Sequence, residues 1–123
     1  MKKILLVEDD VILCGAMEEA LKQAKYRVVT VGNGSDVLVL AKKEKPDLII
    51  LDLRLPKKSG EEALTELKSE PETKFIPVLV STQKDDLESI SRCSALGMQG
   101  YFIKSDYSLD SIVAEVKRAL GDK

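Results

Sequence analysis

The chain is 123 residues long and 44% apolar, with 19 basic and 21 acidic side chains and a formal net charge of −2. These values describe one globular domain, expected over residues 1–123, and no apolar run approaches the roughly 20 residues that cross a bilayer. Interspersed charges offer no basic field for direct nucleic-acid binding, and the absence of histidine removes Ser-His-Asp triads, His-ligated zinc and phosphohistidine carriage.

Met1, Lys2 and Lys3 lead directly into a short apolar run at 4–7 with no small-residue cleavage site, so a cytoplasmic location and no membrane partner are expected. That run reads as a strand, and it stops at three acids, Glu8, Asp9 and Asp10. Asp10 suits the N-cap of a helix whose apolar positions Leu13, Met17, Ala20, Leu21 and Ala24 recur at three- and four-residue steps. A second strand is predicted at 27–31, followed by a turn at Gly32, Asn33 and Gly34. Val37, Leu38 and Ala41 then mark one face of a short helix that ends near Pro46.

The run at 48–51 is continuous, apolar and suited to a buried strand, and it delivers Asp52 to its C-terminal end just before Pro56. After Pro56 and Gly60, Ala63, Leu64 and Leu67 form the inward side of a helix closed by Pro71, with a variable loop beyond it. Residues 76–80 predict a fourth strand ending in the hydroxyls Ser81 and Thr82. Asp85 and Asp86 open a helix whose apolar stripe is weak, Leu87 and Ile90 being followed by Ser91 and Ser94, with Gly97 and Gly100 bracketing its exit. Tyr101, Phe102 and Ile103 form a fifth strand ending at Lys104, and Leu109, Ile112, Val113, Val116 and Leu120 the stripe of a last helix. Cys14 and Cys93 lack zinc-site spacing and read as core or surface thiols rather than a disulfide.

Five short apolar strands alternating with five helical segments imply an α/β fold, a parallel sheet covered on both faces. Right-handed crossovers leave few topologies, and the flavodoxin-like doubly wound five-stranded order 2-1-3-4-5 sets the first and third strands side by side. Glu8, Asp9 and Asp52 then meet at one switch point, at the strand ends where such sheets bind ligands.

Three carboxylates held together repel one another unless they share a cation. Magnesium is the hard ion that takes one or two carboxylates, keeps several waters and accepts phosphate oxygens. With a hydroxyl, Thr82, and an ammonium, Lys104, at the ends of the fourth and fifth strands, the rim holds what phosphoryl transfer needs, and Asp52 is the acid left to act as nucleophile. Taken singly, Asp10 caps a helix, Asp52 begins a turn, and Thr82 and Lys104 are loop residues. Chance is a poor account of four strands that each end in a group serving one mechanism.

The motifs VEDD after the first strand, LDLRLP with Gly60 behind it, PVLVST and GYFIK together resemble those of response-regulator receiver domains of two-component signalling, over essentially the whole chain. The resemblance implies a phosphoacceptor signalling protein rather than an enzyme, phosphorylated on Asp52 by a sensor histidine kinase or histidine phosphotransfer protein, and switching its contact with a downstream target protein. It implies Asp9 as a direct magnesium ligand, Glu8 acting through water, and the backbone carbonyl of Arg54 as a further ligand. Thr82 corresponds to the hydroxyl that shifts toward the phosphoryl group, Lys104 to the lysine that pairs with it, and Tyr101 to the aromatic whose rotamer reports the switch. Arg54, Gln83 and Lys84 stand where members of the family tune hydrolysis.

The sequence departs from the family pattern at Ser105, where proline is usual after the lysine, and at Gln83, where a small residue is common. Either a strained cis bond or a different loop is expected at Lys104-Ser105. Two other readings stand beside the receiver. A phosphorylation-independent pseudo-receiver would carry vestigial acids, against which Asp52, Thr82 and Lys104 are all intact. A magnesium-dependent phosphatase of related fold would want a carboxylate two residues beyond its nucleophile, and Arg54 stands there.

Overall fold

In the computed structural model, residues 1–83 and 86–122 are described. They fold into strands β1 (Lys3–Val7), β2 (Arg27–Val31), β3 (Leu48–Asp52), β4 (Val78–Thr82) and β5 (Gly100–Ile103). Between and after these run helices α1 (Val11–Gln23), α2 (Val37–Glu44), α3 (Gly60–Ser69), α4 (Leu87–Leu96) and α5 (Leu109–Leu120). All strand pairs are parallel, in the order β2-β1-β3-β4-β5, so the flavodoxin-like order expected from the sequence is the order found.

Alternation along each strand divides the core in two. Leu5, Val7, Ile49, Leu51, Val78 and Val80 face one way, into a cluster with Val37, Ala63, Leu64, Leu67 and Cys93 from α2, α3 and α4. Ile4, Leu6, Leu48, Ile50, Leu79 and Phe102 face the other way, against Met17, Leu21, Ile112 and Val116 from α1 and α5. β3 and β4 are buried at every position, which is why their sequences read as continuous apolar runs, whereas the edge strands β2 and β5 are each fully buried at one position only.

Side chains start three of the helices. Asp10 accepts the amides of Ile12 and Leu13 as expected, Ser59 accepts that of Glu62, and Ser108 that of Ser111. Gly97 and Gly121 close α4 and α5 in the left-handed conformation, at φ of 99° and 72°. The segment between α3 and β4 is tied down rather than loose: Thr73 is buried and donates to the Leu67 carbonyl, and Lys68 donates to the carbonyls of Lys74 and Ile76.

Two local expectations change and one open alternative is resolved. β4 begins at Val78 rather than at residue 76, because Pro77 has no amide to give the ladder and its carbonyl only receives Ile49. Leu87 is 67% exposed, and the inward stripe of α4 is Ile90 with Cys93, a thiol whose burial pushes it up to about 11. Of the alternatives left open at Lys104-Ser105, the cis bond is not found: the bond is trans, and Lys104–Asp106 forms a single 3-10 turn. Cys14 and Cys93 are both free, and no helix among the described residues is long and apolar enough to cross a membrane.

Candidate functional site

The C-terminal ends of β1, β3, β4 and β5 meet at one rim of the sheet. Alternation decides which side chains can meet there: Asp52 continues the Leu48 and Ile50 face, Ser81 the Leu79 face, and Lys104 the Phe102 face, all toward α1 and α5. Thr82 continues the Val78 and Val80 face, toward α4. The rim residues therefore separate into two groups.

The first group is ionic. Glu8, Asp9 and Asp52 offer carboxylate oxygens that lie within 4.8 Å of one another, with Glu8 and Asp52 buried and Asp9 exposed. The Lys104 ammonium sits 3.1 Å from Asp52 Oδ2, to which it donates, and 2.8 Å from Glu8 Oε1. The second of these contacts is an ion pair without hydrogen-bond alignment, so Glu8 Oε1 remains a buried acceptor without a hydrogen-bond partner. Asp52 Oδ1 accepts the Arg54 amide at 3.1 Å, and Glu8 Oε2 accepts the Asp10 amide at 3.1 Å.

Burial and then the neighbouring Glu8 charge push the Asp52 carboxyl up to about 7, although Lys104 and the Arg54 amide both favour its ionised form. Burial works against the Lys104 charge, but its contacts with Glu8 and Asp52 outweigh that and hold its pKa above the usual value. One ammonium thus leaves three clustered acids under-compensated. A site of three carboxylates, two of them buried and faced by a single ammonium, fits a hard divalent cation.

The second group gathers on Asp86, the residue before α4. The Thr82 hydroxyl donates to Asp86 Oδ2 at 3.2 Å, with a longer contact of 3.5 Å to the Gln83 carbonyl. Arg54 grips the same carboxylate with two nitrogens, Nε at 3.1 Å and Nη2 at 3.0 Å, and Nη1 reaches the Gln83 side chain at 3.3 Å. The Thr82 hydroxyl therefore points away from the acid cluster, and the Arg54 guanidinium spans the β4–α4 connection. Asp86 was legible in sequence only as a helix opener, since nothing in its local spacing announces a partner more than thirty residues away.

Of the other positions singled out by sequence, Gln83 is exposed and Lys84 lies outside the described residues. Tyr101 is 45% exposed on the edge strand, opposite Val80 in register. Behind Lys104, between α1 and α5, a recess of about 270 Å³ is walled by Leu13, Met17, Phe102, Tyr107 and Ile112. Ser81 borders it, and its buried Oγ has no hydrogen-bond partner.

The model of the family described as response regulator receiver domain matches residues 4–117. The polar-differentiation response regulator DivK of Brucella anthropi is 31% identical over 126 residues, covering 98% of each chain. The probable transcriptional regulatory protein TcrX of Mycobacterium tuberculosis is 31% identical over 117 residues, covering 95% of this chain and 49% of its own. This chain spans about half the length of several of the curated relatives it matches. Among solved structures, the receiver domain of sensor histidine kinase PA1611 from Pseudomonas aeruginosa, with a magnesium ion coordinated in its active-site cleft, superposes with a TM-score of 0.88 at 26% identity, covering 98% of each chain.

Proposed function

This chain belongs to the response regulator receiver domain family, and on that premise we propose that it accepts a phosphoryl group on Asp52 and then binds a downstream protein differently. The donor is the phosphohistidine of a sensor histidine kinase or histidine phosphotransfer protein. The reading rests above all on one observation: Asp52, the acid that ends the fully buried strand β3, accepts a hydrogen bond from Lys104 while belonging to a cluster of three acids.

An Asp52 oxygen bonds to phosphorus as the donor's nitrogen–phosphorus bond breaks, and the imidazole leaves with the electron pair and takes a proton from solvent. Lys104, already against Asp52, follows the charge onto the phosphoryl oxygens. The Thr82 hydroxyl donates to the phosphoryl group once it turns from Asp86. Glu8, Asp9 and Asp52 would hold magnesium, Asp9 directly and Glu8 through water, with the Arg54 carbonyl as a further ligand. When bound, that ion supplies positive charge against the phosphoryl oxygens. Arg54, Gln83 and Lys84 tune the lifetime of the product, and Tyr101 changes rotamer with the state of Thr82. The chain acts as one receiver unit over residues 1–123 in the cytoplasm, assisting its own phosphorylation and dephosphorylation without turning over a separate substrate.

Intact-mass measurement after incubation with magnesium and an acyl phosphate tests this. The parent should gain one phosphoryl group, whereas Asp52→Asn, or the parent with chelator, should gain none. Equal labelling of Asp52→Asn would overturn the assignment, and a parent that never labels would leave the pseudo-receiver reading in its place.

A further inference from the structure

Asp86 collects the two donors that a phosphoryl group on Asp52 would draw on. Its carboxylate takes the Thr82 hydroxyl and, through two parallel bonds, the Arg54 guanidinium. A planar guanidinium meets phosphoryl oxygens with the same fork it uses for a carboxylate, so the two anions compete for one cation. The competition extends to Thr82, whose single hydroxyl proton cannot serve both acceptors. Asp86 also sits between the site and a helix: its amide donates to the Gln83 carbonyl at 3.1 Å, and its carbonyl accepts the Ile90 amide at 3.0 Å in the first turn of α4. Its side chain makes no capping bond to that helix, although aspartate is among the preferred residues there. The carboxylate is committed to Thr82 and Arg54 instead.

We propose that Asp86 is a built-in competitor of the phosphoryl group, a positioning residue that holds Thr82 and Arg54 in the unphosphorylated arrangement and must release both when Asp52 is phosphorylated. The inference rests on the phosphoacceptor reading of Asp52 and adds an energetic cost to its switch. Linkage is reciprocal: whatever Asp86 contributes to holding the two donors is subtracted from the affinity of the site for a phosphoryl group. The same release frees the residue that begins α4, so occupancy at Asp52 reaches that helix through one side chain. An aspartate carboxyl is ionised at neutral pH, so Asp86 is competent there as a rival anion.

The test is affinity for beryllium fluoride, a phosphoryl mimic, titrated in the presence of magnesium and followed in amide NMR spectra. Asp86→Ala should bind the mimic about fivefold or more tightly than the parent. Asp86→Asn, which keeps the shape but loses the charge, should show a smaller gain and serves if the alanine variant folds poorly. In an Arg54→Ala background the gain from Asp86→Ala should shrink, because one of the two contested donors is gone. A merely structural Asp86 would give equal or weaker binding on removal, and that result in a parent that does bind the mimic overturns this inference alone. A parent that does not bind the mimic at all overturns the phosphoacceptor reading and this inference with it.

Discussion

At the residue scale, Asp52 carries opposite demands. Chemistry wants it ionised, and its surroundings without metal resist that. Its carboxyl rises from 3.8 to about 7, first through burial and then through Glu8. A carboxyl raised on folding lends stability that is complete below pH ~4 and is lost as pH climbs through ~7, because the folded state then holds a charge it solvates poorly. Without divalent metal, Asp52→Asn should therefore unfold at higher denaturant than the parent at pH 8, with the gap closing toward pH 5. Full conversion at about 1.4 kcal/mol per pH unit overstates an effect at a rim that water reaches, leaving on the order of 2 kcal/mol. A gap that stays constant across that pH range would show that burial, not ionisation, governs the difference. Asp52 itself was readable as the terminal acid of a buried strand. Asp86 was not, because its significance comes from Arg54 and Thr82 converging on it in space.

At the element scale, the acceptor strand is fixed from behind by the start of α3. Gly60 donates its amide to the Leu53 carbonyl at 2.9 Å, and a Cβ there would lie 2.1 Å from the Asp52 carbonyl oxygen and 2.7 Å from Leu53 Cα. Backbone atoms cannot step aside as a flexible side chain can. Gly60→Ala should cost about 2–3 kcal/mol in chemical denaturation and shift the amide resonances of Asp52 and Leu53. Unchanged stability and spectra would mean that α3 slides freely against β3. The sequence marked Gly60 through its motif, but the reason for it is a close approach between segments that no periodicity encodes. α4 shows the opposite error. Its apolar stripe looked weak because Ser91 and Ser94 follow Leu87 and Ile90, whereas Cys93, between those serines, is a fully buried wall of the α2–α3–α4 side. Leu87, which looked like part of the stripe, faces water.

At the scale of the whole molecule, strand order was legible because parallel strands covered on both faces read as unbroken apolar runs and right-handed crossovers leave few ways to connect them. The division of the rim into an Asp52 side and a Thr82 side follows from strand register, which became visible only once Asp52 was seen opposite Ser81 and Thr82 opposite Ile103. The recess between α1 and α5 has a further consequence, in compressibility. Apolar side chains dominate its lining, with Ser81, Lys104 and Ser108 as the polar members, so water is held weakly along the Met17, Phe102 and Ile112 part and the folded chain there occupies more volume than its atoms require. Hydrostatic pressure favours whichever state is smaller. Pressure-dependent NMR shifts should accordingly be largest at Met17, Phe102 and Ile112, and Ser81→Val, which fills part of the space, should reduce them; a uniform response across both faces of the sheet would rule this out. The side of the sheet beneath Asp52 and Lys104 would then be the one that yields first when the molecule is squeezed.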